Sequence, residues 1–308
     1  MATPSRNSLR ILITGASTGV GLALARLLIR TRQHRLTLTA RPESLKRFAD
    51  LGIEEDPEWL SICPLDITNS EQRAQAISHT LSRYGGIDVL VNNAGIAYRS
   101  VTEHVTTGDL IAQMDVNFRS PMELIRLALP HMRAQRWGRI LNVSSVGGMM
   151  AMPTMGAYSA SKFALEGMSE ALWYEVRPWN VHVSLIQPGF INSEGFEKVR
   201  FTGLSAAGKE RQTDPYYAHY QAMSGFIGRV MRLVPATSES VAATIVRTLE
   251  RKAPPLRVPA TFDAHLFAWL RRMLPRAFYH WVLYRSLPQI RSWGRISDRP
   301  NPSQERTL

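Results

Sequence analysis

The stretch "LRILITGASTGVGLALARLLIR", Leu9 to Arg30, decides the fold. It opens with an apolar run of strand length and closes with a segment of helical period, and Gly15, Gly19 and Gly21 stand between them. A strand, a glycine-rich turn and a helix in that order build a phosphate cradle. The glycines permit the tight turn and let main-chain amides approach a pyrophosphate at the positive end of the helix. The residues expected to line it are Gly15, Ser17, Thr18, Gly19, Val20 and Gly21, and a dinucleotide is the natural occupant.

The alternation continues outward through "RLTLTA", "PESLKRFADL", "LSICPL", "SEQRAQAISHTL" and "IDVLVNNAG". Continuous apolar strands separated by helices mark a parallel sheet covered on both faces. The chain therefore reads as an α/β, doubly wound domain of Rossmann type over residues 9–260, with about seven strands and a C-terminal helical extension at 261–290. One long helix is predicted from about Thr107 to Arg136, another from about Ala157 to Val176, and a third from Ser238 to about Arg251, ahead of a last strand near Leu256 to Val258. Between Gly189 and Ser238 the pattern breaks. "GFINSEGFEKVRFTGLSAAGKERQTDP" reads as a mobile loop and "YYAHYQAMSGFIGRVMRLV" as a helix, so residues 190–237 are expected to form a substrate lid at a strand's carboxyl end. Residues 1–8 read as a flexible N-terminus and 291–308 as a basic, disordered tail.

With 308 residues and 44% hydrophobic content the chain can bury a full core. The single cysteine, Cys63, excludes an intramolecular disulfide and suits a reducing compartment. No signal-peptide pattern opens the sequence, and no stretch approaches the roughly 20 apolar residues of a membrane span, so a cytoplasmic location is expected. Of the formal charge of +12, residues 251–308 carry a net +8, 11 Arg or Lys against Asp263, Asp298 and Glu305. Zinc-finger spacing, a helix-turn-helix pattern and an RNA-binding aromatic signature are all lacking, so no nucleic-acid partner is expected, and no metal site. "FDAHLFAWLRRMLPRAFYHWVLYRSL", residues 262–287, places Leu266, Leu270, Met273, Ala277, Trp281 and Tyr284 on one helical face, with Arg271, Arg272 and Arg276 elsewhere and a bend at Pro275. Such a helix packs on its own domain or a second subunit, or makes a weak peripheral contact with a membrane surface.

Two further stretches bear on chemistry. At the end of the second strand, "LTLTARPES", Ala40 fills the place where an acid would bind a ribose 2'-hydroxyl, and Arg41 offers a planar cation to a 2'-phosphate. NADP(H) is the expected cofactor, with Arg41 as its main reader. "YSASK" sets Tyr158 and Lys162 four positions apart on one helical face. A neighbouring cation favours the phenolate, which is how a proton donor and acceptor for neutral pH is made. The pair alone also allows an exposed helix couple.

"TGASTGVG", "NNAG" at Asn92 to Gly95, "VNF" around Asn117, "NVSS" ending at Ser145, "YSASK" and "PGFINS" from Pro188 occur in one order. Together they make the chain resemble the short-chain dehydrogenase/reductase family in its compact single-domain branch, over about Leu9 to Pro259; the glycine spacing matches that branch and not the extended, epimerase-like one. The resemblance implies that Tyr158 exchanges a proton with the substrate oxygen, that Lys162 lowers its pKa and binds the nicotinamide ribose, and that Ser145 holds the substrate oxygen. Ser144, its rival, precedes it on a strand and so points to the opposite face. Asn117 is implied to sit in a helix kink and hold a proton-relaying water. Asp66 and Ile67 are assigned to the adenine, Asn93, Ala94 and Gly95 to the adenosine side, and Pro188, Gly189, Ile191 and Ser193 to the nicotinamide end, with Ser193 where the family usually has Thr. A homo-oligomer, dimer or tetramer, is expected.

The loop "VGGMMAMPTMGA" brings Met149, Met150, Met152 and Met155 beside the reacting oxygen, and Phe190 and Phe196 lie on the lid. Methionine adapts to irregular apolar shapes. The expected substrate is therefore a lipophilic ketone, aldehyde or secondary alcohol of steroid, retinoid or fatty type, and the motifs look nearest to hydroxysteroid and retinol dehydrogenases. The competing class is a non-catalytic dinucleotide-binding regulator or scaffold, which would have no need of Asn117, Ser145, Tyr158 and Lys162 together.

Overall fold

The computed structural model describes residues 8–192 and 199–294; the expectations placed on 1–7, on Ser193 and Phe196, and on 295–308 lie outside them. Seven strands, β1 (Arg10–Ile13), β2 (Arg35–Ala40), β3 (Leu60–Pro64), β4 (Val89–Asn92), β5 (Gly138–Val143), β6 (Val181–Gln187) and β7 (Arg257–Pro259), form one sheet in the order β3, β2, β1, β4, β5, β6, β7. Every pairing is parallel. The winding direction reverses between β1 and β4, and a crevice opens there at the strands' carboxyl ends.

The strands are largely apolar because both faces are covered, with buried polar side chains such as Thr37, Asn92 and Asn142 among them. Ile11 and Ile13 pack on one side with Leu24 and Leu28 of α1 (Gly19–Thr31) and Ile245 of α9 (Ser238–Glu250). Leu12, one residue out of phase, packs on the other side with Ile77 of α3 (Ser70–Tyr84), Leu124 and Met132 of α5 (Ser120–Ala134), and Leu172 of α6 (Gly156–Val176). The short α2 (Lys46–Asp50) follows β2. The predicted long helix from Thr107 is interrupted: α4 (Thr107–Met114) passes through a π-helical segment at Asp115–Arg119 before α5.

The structure corrects three expectations. The segment after Gly189 is not all loop, since α7 (Gly203–Glu210) forms within it, started by Thr202, whose hydroxyl accepts the Ser205 amide at 3.1 Å. Gly208 is there because of a close approach: a Cβ would meet His104 at 2.8 Å and Asp214 at 2.9 Å. The next helix, α8 (Tyr217–Leu233), anchors the region through the fully buried Tyr220, whose hydroxyl meets His104 Nδ1 at 2.9 Å and the Val101 amide at 3.2 Å. Second, the chain is still folded at 291–294, because Trp293 packs on His219 with ring centroids 4.4 Å apart.

Third, Pro275 does more than bend the extension; it divides α10 (Phe262–Met273) from α11 (Arg276–Ser286) and resets the helical phase. The predicted stripe does not face the core on either side of the proline. Leu266, Met273, Trp281 and Tyr284 are exposed, whereas Phe267, Ala268 and Leu283 pack on Val146, Met149 and Met150.

A buried polar chain ties the middle of the sheet to α6. Asn92 Nδ2 donates to Asn142 Oδ1, and Asn142 Nδ2 to Ser169 Oγ, both at 2.8 Å, and Ser169 Oγ donates to the Leu165 carbonyl at 2.6 Å. Replacing Asn142 by Ala strands the amide of Asn92 without solvent. Urea unfolding followed by circular dichroism is expected to show Asn142→Ala less stable by about 2–3 kcal/mol.

Candidate functional site

The turn after β1 has the shape its glycines suggested. Gly15 and Gly19 take φ of 65° and 55°, left-handed values that burden any side chain. A Cβ on Gly21 would collide with the Gly15 carbonyl and the Asn93 side-chain amide. Thr18 caps α1 with its main chain only, so its side chain does not take the place of an anion at the helix's positive end. Thr14, the first residue of the motif but not among the expected contacts, holds the crevice together: its hydroxyl accepts the amides of Asn93 at 3.0 Å and Ala94 at 3.1 Å. Asn93 returns two bonds of 3.0 Å from Nδ2 to the carbonyls of Thr14 and Gly15. Its side chain thus braces the turn, and Gly95 stays exposed at the crevice.

At the next strand end, Ala40 is buried and Arg41 is half-exposed, paired with Glu43 at 3.1 Å. An exposed pair of this kind is weak, so the guanidinium can exchange Glu43 for a phosphate. Asp66 Oδ1 accepts the amide and hydroxyl of Thr68 at 2.9 and 2.7 Å, which curls the main chain at the mouth of the crevice. Ile67 sends its side chain into the core and can offer a ligand only its main chain.

Tyr158 and Lys162 are both on the first half of α6, and their four-residue step continues to Glu166. The Lys162 ammonium lies 5.9 Å from the Tyr158 ring centre and donates to the Val143 carbonyl at 2.8 Å. Lys162 is buried, which pushes its pKa down to about 8 against the opposing pull of Glu166. Burial around the Tyr158 hydroxyl pushes that group above the ordinary tyrosine range, and a hydrogen bond with Ser145 opposes the rise. Desolvation thus prevails, and what opposes it is the Ser145 hydrogen bond and not the Lys162 charge expected from the sequence. Ser145 ends β5 in an extended conformation and accepts the Gly147 amide at 3.0 Å, which aims its hydroxyl at Tyr158. Ser144 points the other way, as the strand period requires, and donates to Glu166 at 2.8 Å.

Asn117 is fully buried in the π-helical segment, a distortion frequent at functional sites. Its Nδ2 donates to the Ile96 carbonyl at 2.9 Å and to Ser161 at 3.1 Å, and its Oδ1 accepts the Ile96 amide at 2.9 Å. Both side-chain donors are occupied, so a relay water would have to meet the remaining lone pair of Oδ1 or the main chain.

At the far end of the crevice, the Pro188 carbonyl accepts the Val146 amide at 2.7 Å, and Ile191 packs against the main core. The Gly189 amide donates to Thr261 at 2.9 Å and that of Phe190 to Asp263 at 2.8 Å; a Cβ on Gly189 would collide with the Asp263 carboxylate. Ser145, Tyr158, Gly189 and Phe190 line a cavity of about 130 Å³ together with Met150, Met152 and Met155.

The short chain dehydrogenase family model matches residues 10–202. The chain belongs to the short-chain dehydrogenase/reductase family. Such an enzyme is an oxidoreductase acting on CH–OH groups. The protein is 34% identical over 280 residues to the 3-ketodihydrosphingosine reductase of Bacteroides thetaiotaomicron, covering 89% of this chain and 96% of that one. It is 31% identical over 253 residues to retinol dehydrogenase 8 of Bos taurus, covering 80% of each. A solved short-chain dehydrogenase from Streptomyces avermitilis superimposes with a TM-score of 0.75 at 30% identity, over 91% of this chain and 97% of that one.

In this short-chain dehydrogenase/reductase, sequence reasoning missed Thr14, Ser161, Glu166, Thr261 and Asp263. Glu166 had a local signal, the continued four-residue step from Tyr158; Thr261 and Asp263 lie more than 70 positions from the loop they hold and had none. Gly21→Ala is expected to leave a folded protein by circular dichroism but to weaken dinucleotide binding at least tenfold, about 1.4 kcal/mol, in a fluorescence titration. Unchanged affinity would show that the turn does not hold the dinucleotide.

Proposed function

We propose that this enzyme uses NADP(H) to interconvert a carbonyl and an alcohol on a lipophilic substrate. The observation that carries this reading is the meeting of Ser145 and Tyr158, backed by Lys162, in a cavity walled by Met150, Met152, Met155 and Phe190. Ser145, Tyr158 and the hydroxyl of Ser159 are the polar side chains of that lining, and most of the remaining wall is thioether and aromatic. The two relatives described above carry the names of lipophilic compounds, a sphingoid ketone and retinol, in support.

The cradle residues fit a dinucleotide: the Gly21 contact excludes a side chain, and Arg41, Gly95 and Gly189 all follow carboxyl ends of strands in the one parallel sheet. Ala40 and Arg41 support NADP(H) over NAD(H), since no acid stands at the end of β2 to repel a 2'-phosphate. Bound there, the dinucleotide would supply or accept the hydride. In reduction Tyr158 gives its phenolic proton to the carbonyl oxygen; in oxidation it takes the alcohol proton. Ser145 donates to the same oxygen and stabilises developing charge on it. Lys162 holds positive charge behind the phenol. Burial adds to the ordinary preference of the phenol for its protonated form, the form that reduction uses.

A screen of long-chain, retinoid, steroid and small polar carbonyls, followed by NADPH absorbance, is expected to give turnover confined to the lipophilic members. Tyr158→Phe is expected to lower kcat roughly 10²–10⁴-fold. Activity only on sugars or polar acids, or full turnover by Tyr158→Phe, would overturn the reading. Arg41→Ala is expected to raise the Michaelis constant for NADPH roughly 10- to 150-fold and leave that for NADH nearly unchanged, because a charge-assisted bond contributes about 1.5–3 kcal/mol. The direction of pH dependence follows from the two shifts. Reduction needs the neutral phenol and the ammonium, so it should hold below pH 8 and decline as Lys162 loses its proton near about 8; oxidation needs the phenolate and should rise with pH.

A further inference from the structure

A second cavity, of about 540 Å³, lies where α10 and α11 meet the methionine loop. It is larger than the catalytic cavity and falls within the range of small-molecule sites, about 300–1,000 Å³. Met150 lines both, so the two are separated by little more than one side chain. Met149, Met150 and Leu283 give it an apolar floor, and the exposed Arg271, Arg276 and His280 also line it. No carboxylate is part of its lining, and none of those three side chains is paired with an acid among the described residues. Arg271 is held over the Phe163 ring at 5.3 Å. Tyr279 lines the same cavity, and its buried hydroxyl has no hydrogen-bond partner among the described residues.

These features are mismatched to water and to simple solutes alike. An inorganic anion would leave the apolar floor wet, and an uncharged lipid would leave two guanidinium groups without a counter-charge. A hydrocarbon chain ending in an anion satisfies both, because the chain covers the thioethers while the head meets the arginine forks. We propose that this cavity is a binding site for an amphipathic anion, a hydrocarbon chain capped by a phosphate or carboxylate, separate from the catalytic pocket. Through Met150 an occupant would touch the wall of the catalytic cavity. The same head chemistry is offered by a free amphiphile and by a lipid of an anionic bilayer.

The test is calorimetric titration of the full chain, saturated with NADPH, with decyl phosphate below its micelle-forming concentration. One molecule is expected to bind per chain, and 1-decanol and inorganic phosphate at least tenfold more weakly. The double variant Arg271→Gln/Arg276→Gln, both at exposed positions, is expected to weaken decyl phosphate at least tenfold while keeping its circular dichroism spectrum. Sedimentation with phosphatidylglycerol vesicles separates the sources: capture that the double variant loses assigns a bilayer lipid, and monomer binding without capture assigns a free amphiphile. No saturable binding of decyl phosphate, equal binding of 1-decanol, or an affinity unchanged in the double variant would overturn the proposal.

Discussion

A charged amine shut away from water is the constraint on which the catalytic half of this fold is organised. Lys162 is 6% exposed, and its ammonium has the Val143 carbonyl at 2.8 Å and the field of Glu166 one turn further on. That carboxylate is itself buried, and it is held by Ser144 and Gln187 at 2.8 Å each and by Arg257 at 3.5 Å. Three strand ends, those of β5, β6 and β7, thus converge on one face of α6. A buried charge without such partners would be strongly destabilising, so the network defines the rotation of the helix about its axis. Tyr158, a further turn toward the N-terminus, inherits its aim from that rotation.

The dinucleotide half is built differently, from main-chain geometry. Thr14 and Asn93 exchange bonds across the gap between β1 and β4, and the two carboxyl ends are thereby fixed at the place where the winding reverses. The π-helical segment then turns Asn117 toward Ile96, the residue that follows Gly95, and toward Ser161 of α6. One asparagine therefore couples the loop at Gly95 to the helix that carries Tyr158.

How much of this was legible in the sequence depends on the distance over which each signal acts. The strand, turn and helix from Leu9 to Arg30 were readable because period and glycine placement are local properties. The choice of Ser145 followed from the family resemblance, and the two-residue period of a strand set Ser144 on the opposite face. Helix α7 escaped because glycines at both ends of "GLSAAG" mask a start set by Thr202. The orientation of the extension escaped because apolar spacing does not say which face meets the domain: within α10 it is Phe267 and Ala268 that pack, one position on from the exposed Leu266. The partners of Gly189 escaped because folding, and not spacing, brings Asp263 to it.

That last contact ties the C-terminal region to the cavity that Ser145 and Tyr158 line. Asp263 and Thr261 clasp the loop at Gly189 and Phe190 from the first turn of α10, while further along the same extension Phe267 and Leu283 press on the methionines of the pocket. Sequence change in α10 or α11 can thus reshape that cavity without touching Ser145, Tyr158 or Lys162. The arm works as an adjusting screw, set from outside the nucleotide-binding frame.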